Sequence, residues 1–520
     1  MSQKKNRTFK AYHQGQGLIL PPYLDELIED QHLVRIVNEV VDQISDDVLC
    51  EPFEQEGTSP FHPRMMLKVI IYAYCQKMYS CRGIAKALRE SIHFMWLSGY
   101  SRPSFSTINR FRSEYFKDVL EGVFTQVLDF LHERSYIHLE TYFVDGSKFE
   151  ANANKNTYVW KKNTQRYKEG VREKVRKLFE EIEQINQQED LKYGDKDLEE
   201  RGIDKRITPE EIKQAAATIN RQLKDQQPKK AKQKLQRIAR HLEKESERME
   251  DYEQQESLLG ERNSYSKTDP DATFMRMDGD QLKPAYNVII STEDQFITNY
   301  TVSQNAADSV GFVEHVEKIE KRGDQYLPKK YVGDSGFGNE ENYEKLDGLK
   351  IASYLKFNNF HYEQTRAFQE NPFLKEHFLY HAQQDYYVCP QGQKLLMREL
   401  KTITTKTGYK SQVKIYQCEG CDGCPFKDKC TRSEKDRTIE VREKLDKYKN
   451  QARDNLTSEA GIKLRKQRNV DVEPVFGDWK YNQGYRRLRL RGEGKVIVEV
   501  GWLSVSHNIR KIHIKVNIAA

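Results

Sequence analysis

The stretch "YVGDSGFGNEENYEKL", residues 331–346, decides how this chain is read. A short apolar, β-branched run ends on Asp334, a glycine-rich turn follows, and a helical pattern begins after it. Asp-Ser-Gly alone is turn chemistry, because aspartate hydrogen-bonds its own backbone and glycine accepts positive φ. A second stretch, "TYFVDGSKFEAN" (141–152), repeats the plan with an aromatic and β-branched run, then Asp145, then Gly146. Two strand-end aspartates need a common explanation.

The segments around them supply it. "KPAYNVIISTEDQFITNYTVSQ" (283–304) gives two β-rich runs about a turn, and "SVGFVEHVEKIEKR" (309–322) is an amphipathic helix. With the strand before Asp145, the order is three strands, a helix, a fourth strand ending at Asp334, and a fifth in "KIASYLKF" (350–357). That order fits a multidomain α+β chain with a ribonuclease H-like catalytic core, in which the first and fourth strands are neighbours and bring Asp145 beside Asp334. Two carboxylates hold Mg²⁺ poorly, since the ion wants octahedral oxygen ligands, so a third acid is expected from a later helix. Glu473, in "RKQRNVDVEPVFGDWKYNQ" (465–483), fits best. Lys480 follows two helical turns later on the same face, beside a stripe of Val472, Val475, Phe476 and Trp479. Pro474 disfavours helical geometry at Glu473, and Glu493 and Glu499 are alternatives.

At 520 residues the chain exceeds one core, and 85 basic against 79 acidic residues leave a net charge of only +6. Local clustering therefore matters more than bulk charge. Residues 1–135 read as a helical N-terminal DNA-binding domain, whose "SRPSFSTINRFRSEYF" (101–116) sets Asn109, Arg110 and Arg112 on a helix resembling a helix-turn-helix reader; a plain helical bundle is the alternative. Residues 161–265 read as a helical coiled-coil insertion, from the spacing of Val171, Val175, Leu178, Ile182 and Ile185, then Ile212, Ala216, Ile219 and Leu223, then Ala231, Leu235, Ile238, Leu242 and Met249. Thr208, Pro209 and Glu211 form a capping-box signature at the start of its second helix. The core is then 136–160 plus 266–380 plus 436–520. "GYRRLRLRGEGKV" (484–496) supplies Arg486, Arg487, Arg489 and Arg491, a cationic patch suited to phosphate. The N-terminus shows no sustained apolar segment, and "MMLKVIIYAY" (65–74) is too short to span a bilayer, so a cytoplasmic protein with no membrane role is expected.

Eight cysteines without a signal peptide argue for thiols or metal. Cys50, Cys75 and Cys81 are scattered and read as ordinary buried residues. Cys389, Cys418, Cys421, Cys424 and Cys430 cluster, and the segment 381–435 reads as a small cysteine-rich insertion holding a structural Zn²⁺. Cys421 and Cys424 would be the close pair, completed by Cys389 and Cys430 with Cys418 spare; Cys418 with Cys421 has the same spacing.

The motifs "PFHPRMMLKVIIYAY", "SCRGIAKAL", "PSFSTINRFR", "VDGSKFEANANK", "KTDPDATFM", "YVGDSGFGNEENY" and "VEPVFGDWK" occur in one order over nearly the full length. As a set they resemble bacterial insertion-sequence transposases of the DDE class, in the branch with a helical N-terminal domain and a cysteine-rich insertion. The resemblance implies that Asp145, Asp334 and Glu473 form a metal-binding catalytic triad and that Arg468 and Lys480 are basic partners at the DNA. Arg465 stands where such transposases often carry tyrosine. The chemistry implied is cleavage and strand transfer with two Mg²⁺ ions, or Mn²⁺ in their place, on double-stranded DNA carrying inverted-repeat ends and on target DNA. A homodimer in the synaptic complex and association with the bacterial nucleoid are implied too. The alternative is a domesticated DNA-binding or architectural protein with an inactive transposase fold.

Overall fold

The computed structural model describes residues 23–50, 61–193, 208–222, 229–277 and 279–519. The N-terminal stretch read above for targeting lies outside these residues, as do Leu223 and the side chains of Cys50 and Ala231. The chain divides into two compact units, one spanning Arg134–Ser504 and the other made of the residues before and after it.

The larger unit is organised by a six-stranded mixed sheet. Its strands are β1 (Thr141–Glu150), β4 (Thr273–Arg276), β5 (Leu282–Glu293), β6 (Phe296–Ser303), β7 (Lys330–Gly333) and β8 (Ala352–Leu355), while β2 (Tyr158–Trp160) and β3 (Ser264–Ser266) form a separate ribbon. β1 is central: β5 pairs with it antiparallel on one side and β7 parallel on the other. β6 and β4 pair with β5, and β8 runs parallel to β7. The β5–β6 hairpin turns through Asp294 and Gln295, both at positive φ, the conformation whose twist suits a two-residue hairpin. Nearly every residue of β5 and all of β6 are buried, as expected of a sheet covered on both faces. β4, which extends the sheet beside β5, is an addition the sequence reading did not contain.

Between β1 and β5 the chain forms three helices, Lys161–Tyr193, Pro209–Gln222 and Lys229–Leu259. The heptad positions do turn inward: Val171, Val175, Leu178 and Ile185 pack with Ile212, Ala216, Ile219, Leu235, Ile238, Leu242 and Met249 in one apolar cluster. The capping box forms with both bonds, Thr208 N donating to Glu211 Oε2 at 3.1 Å and Glu211 N to Thr208 Oγ1 at 3.3 Å. The apolar positions of the described helices thus pack against one another within the chain.

After β8 comes a five-stranded antiparallel sheet of β9 (Leu379–His381), β10 (Tyr386–Val388), β11 (Lys394–Thr404), β12 (Lys410–Cys418) and β13 (Thr438–Val441), in the order β13-β12-β11-β10-β9. Helices Glu443–Thr457 and Glu459–Asp471 return the chain to the first sheet.

The other unit is helical, with Leu33–Asp42, Pro63–Cys75, Cys81–Glu90, Ile92–Ser98, Phe105–Arg110 and Phe116–Glu133 as its main described helices, together with the end of Glu493–Ala519 from Val505 on. Ser104 caps the helix at Phe105 through Thr107 N, as "RPSFST" suggests, but that helix is only six residues long and passes into a π-helical turn at Phe111–Tyr115. No described helix is long and apolar enough to cross a membrane.

Candidate active site

Asp145 and Asp334 meet because β1 and β7 are adjacent and parallel. Phe143 pairs with Val332, and each aspartate stands two residues beyond that pair, at the same level of neighbouring strands. Each carboxylate accepts from a backbone N–H just after it: Gly146 N to Asp145 Oδ1 at 2.9 Å, and Gly336 N to Asp334 Oδ1 at 2.8 Å. The turn chemistry of Asp-Ser-Gly and the gathering of acids are thus served by the same residue. A Cβ on Gly146, inside β1, would collide with Asp308 Oδ1, and one on Gly336, in the turn after β7, would lie 3.0 Å from Asp334 Oδ1.

Glu473 arrives by a break in the chain's helix. The helix Glu459–Asp471 stops, and Glu473 opens a new short helix, Glu473–Gly477, with Pro474 in its first turn. The turn Asp478–Asn482 that follows is π-helical, so Glu473 and Lys480 do not sit on one straight two-turn face; Lys480 Nζ lies 5.3 Å from the centre of the Phe149 ring. The apolar stripe forms as expected, with Val472, Val475, Phe476 and Trp479 buried. Of the alternatives, Glu499 is fully buried and accepts from Tyr485 Oη and from the backbone N–H groups of Arg489 and Leu490, while Glu493 accepts from Gln304.

Arg468 joins the three acids. Its Nη2 lies 3.0 Å from Asp145 Oδ1 and 3.9 Å from Asp334 Oδ2, and its Nη1 lies 3.3 Å from Glu473 Oε1. The Arg468 side chain is 7% exposed, against 19% for Asp145, 38% for Asp334 and 52% for Glu473, so the guanidinium forms the floor of an acidic cleft. It was expected at the DNA and is instead held among carboxylates. Burial pushes the Asp145 carboxyl up to about 6; Arg468 opposes this, and the like charges of Asp334 and Asp308 add to it.

Two flanking residues escaped the sequence reading. Asp308 opens the helix Asp308–Arg322, an ordinary place for an acid and therefore silent as a signal. Lys356, just after β8, has its ammonium pKa lowered by burial and by Arg468 and Arg465. Arg465 itself lies over the Phe360 ring at 5.1 Å.

The other expected residues fall into distinct settings. The arginine segment runs beside the end of β1, with Leu488 N donating to Glu150 O at 2.8 Å. There Arg487 and Arg491 reach the backbone carbonyls of Ala151, Ala153 and Asn152, while Arg486 and Arg489 lie over the Tyr481 and Tyr485 rings. In the helical unit Asn109 and Arg110 are exposed. Arg112 is not on that face: it is buried, donating to Tyr79 O at 2.7 Å and to Asn109 Oδ1 at 3.1 Å, and so fixes the Asn109 side chain.

Cys389, Cys418, Cys421, Cys424 and Cys430 line one small cavity at the edge of the second sheet, all as free thiols. Among the described residues no group of three or more His, Cys, Asp or Glu side chains is arranged to hold a metal ion. Among the three acids the donors are nonetheless hard carboxylate oxygens, the ligand type Mg²⁺ takes.

Two segments match family models. Residues 388–513, which include Glu473, Arg468 and the cysteine cluster, match a transposase DDE domain, and residues 22–114 match a transposase domain, DUF772. No curated protein and no solved structure matches the chain. The two matches indicate a transposase, consistent with an insertion-sequence DDE transposase.

Proposed function

We propose that this chain, transposase-like in both matched segments, cuts and rejoins DNA at the ends of an insertion sequence, with Asp145, Asp334 and Glu473 as its metal-holding triad. The observation that carries the reading is the convergence of three acids, distant along the chain, on one guanidinium. The strand order around β1 supports a ribonuclease H-like core, with the three-helix segment and the cysteine-rich sheet as insertions into it.

Two Mg²⁺ ions, or Mn²⁺ in their place, would activate the attacking oxygen and stabilise the leaving one when bound. The protein's part is positioning. β1 and β7 hold two carboxylates at one level, the Glu473 helix presents the third from across the cleft, and Arg468 offsets their mutual repulsion while the site is empty of substrate. Lys356 and Lys480 add positive charge for the phosphate backbone. Water would be the nucleophile for the first cut, and the 3′-hydroxyl it frees would attack the target phosphodiester, so no covalent protein intermediate is needed.

Double-stranded DNA is the proposed partner, both as inverted-repeat ends and as target. Asn109 and Arg110 would read one part of an end, and the segment Arg486, Arg487, Arg489 and Arg491 would follow phosphates. Two ends must be brought together, which favours a homodimer in the synaptic complex. A structural Zn²⁺ on Cys389, Cys421, Cys424 and Cys430, with Cys418 able to replace Cys424, suits a cavity lined by five soft thiols. The setting proposed is the bacterial cytoplasm at the nucleoid. The intact acidic triad favours an active enzyme over a domesticated architectural protein.

The test is incubation of the protein with a duplex spanning the sequences that flank its coding region, in Mg²⁺ or Mn²⁺. The native chain should nick the duplex and join the freed 3′ end to a second DNA, and Asp145→Ala should lower the rate at least about 10³-fold. No nicking by the native chain, or undiminished nicking by D145A, contradicts the reading. Nicking without joining points to a nuclease instead.

A further inference from the structure

We propose that Asp308 is a fourth acidic ligand of the same cation centre, held in place by Asn287. The proposal rests on the reading of Asp145, Asp334 and Glu473 as metal-holding acids.

Asp308 sits over Gly146, inside β1, and over Gly336, in the turn after β7. Its Oδ1 occupies the space a side chain at residue 146 would need, and its Oδ2 lies 3.3 Å from where a Cβ on Gly336 would stand. That same Cβ position is 3.0 Å from Asp334 Oδ1, so the two carboxylates share the space above Gly336. The glycine after Asp145 and the one two residues after Asp334 together admit a carboxylate from a third element.

What satisfies this carboxylate is incomplete. Asp145, Asp334 and Glu473 all reach Arg468, whereas among the described residues no basic side chain forms an ion pair with Asp308. Its hydrogen-bond donor is Asn287 Nδ2, at 2.6 Å. Asn287 lies on β5 opposite Lys148 of β1, is fully buried, and has no partner for its own Oδ1. A half-buried carboxylate on which Lys148 and Arg468 act only from beyond ion-pair distance, and a buried amide oxygen without a donor, are both costly in a finished protein interior. A hard cation bound beside them removes the first cost, and its retained water supplies a donor for the second. Asn287 also fixes the Asp308 rotamer, because the amide N–H must face the carboxylate. The helix Asp308–Arg322 thereby delivers an acid to the centre from a direction that β1, β7 and the Glu473 helix leave open.

The test is Mn²⁺ titration of the full-length protein without DNA, by calorimetry and by the paramagnetic resonance of free Mn²⁺. The native chain should bind two ions, and Asp308→Asn should lose one of them or weaken it at least tenfold, while Asp308→Glu, which keeps the charge, recovers part of the affinity. Circular dichroism in EDTA checks that each variant is folded; if Asp308→Asn is not, Asp308→Ser is read in its place. Native stoichiometry and affinity in Asp308→Asn, with Asp145→Asn defective, overturns this proposal and leaves the triad standing. Native binding in both variants overturns the triad as well.

Discussion

Arg468 is the residue on which the site's electrostatics turn. A nearly buried guanidinium touching three carboxylates cannot be removed without leaving Asp145, the most buried of them, facing the like charges of Asp334 and Glu473. Arg468→Gln should therefore lose about 3 kcal/mol in EDTA, read from the urea midpoint, and Mg²⁺ should restore part of it. An unchanged midpoint would show that the guanidinium carries no such role. A second residue makes the core sensitive to acid. His315 is fully buried, its Nε2 2.6 Å from Ser291 Oγ and its Nδ1 2.9 Å from Thr301 Oγ1. Burial, with Lys318 and Arg322 adding to it, holds its pKa well below the usual 6.5. The unfolded chain then binds a proton near pH 6.5 that the folded chain refuses. Stability is complete above that pH and falls as pH drops through it, by up to about 1.4 kcal/mol per unit. Between pH 7.5 and 5.5 the native protein should lose about 1 kcal/mol more than His315→Gln in urea denaturation, and equal losses would contradict this assignment.

At the scale of elements, the strands around the acids were legible as β-branched runs, although β1 does not end at Asp145 as expected but continues to Glu150, paired with β5. Strand order placed Asp145 beside Asp334, and the parallel register of β1 and β7 sets them at one level. The helical seam and its capping box were legible for the same local reason: heptad spacing and Thr-x-x-Glu are written in neighbouring residues. What escaped depends on distance in sequence. Asp308 looks like any first-turn acid, and only the packing of its helix against β5 brings it over Gly146. Arg112 carries the same charge as Arg110 but lies two residues on, on the opposite side of the helix, where it is buried and bonds Tyr79 O and Asn109 Oδ1. Pro474 did give notice of the restart at Glu473, though not of the π turn that moves Lys480 off its face. The arginine segment yields a test at this scale. Arg487 and Arg491 are tied to backbone carbonyls, whereas the guanidinium groups of Arg486 and Arg489 lie over tyrosine rings. Replacing both by alanine should weaken binding to DNA of any sequence and reduce the slope of log K against log salt by about 2. A native slope in the double variant would remove them from the DNA path.

For the whole molecule, the matched family segments and the acidic cleft complement each other. The DDE-domain match covers Glu473 and Arg468 but begins after Asp145 and Asp334, so the grouping of all three acids is a property of the folded chain and not of any one segment. The three-helix segment between β1 and β5 leaves their pairing intact, and it and the second sheet each bury apolar residues in a cluster of their own. The claim on which the rest depends is that this cleft holds divalent cations. Anomalous diffraction from crystals soaked in Mn²⁺ tests it most directly. The account predicts a manganese peak bound by carboxylate oxygens of both Asp145 and Asp334, with Glu473 or Asp308 completing the shell. Ordered manganese elsewhere on the protein, with Arg468 still filling the space between the acids, would contradict it.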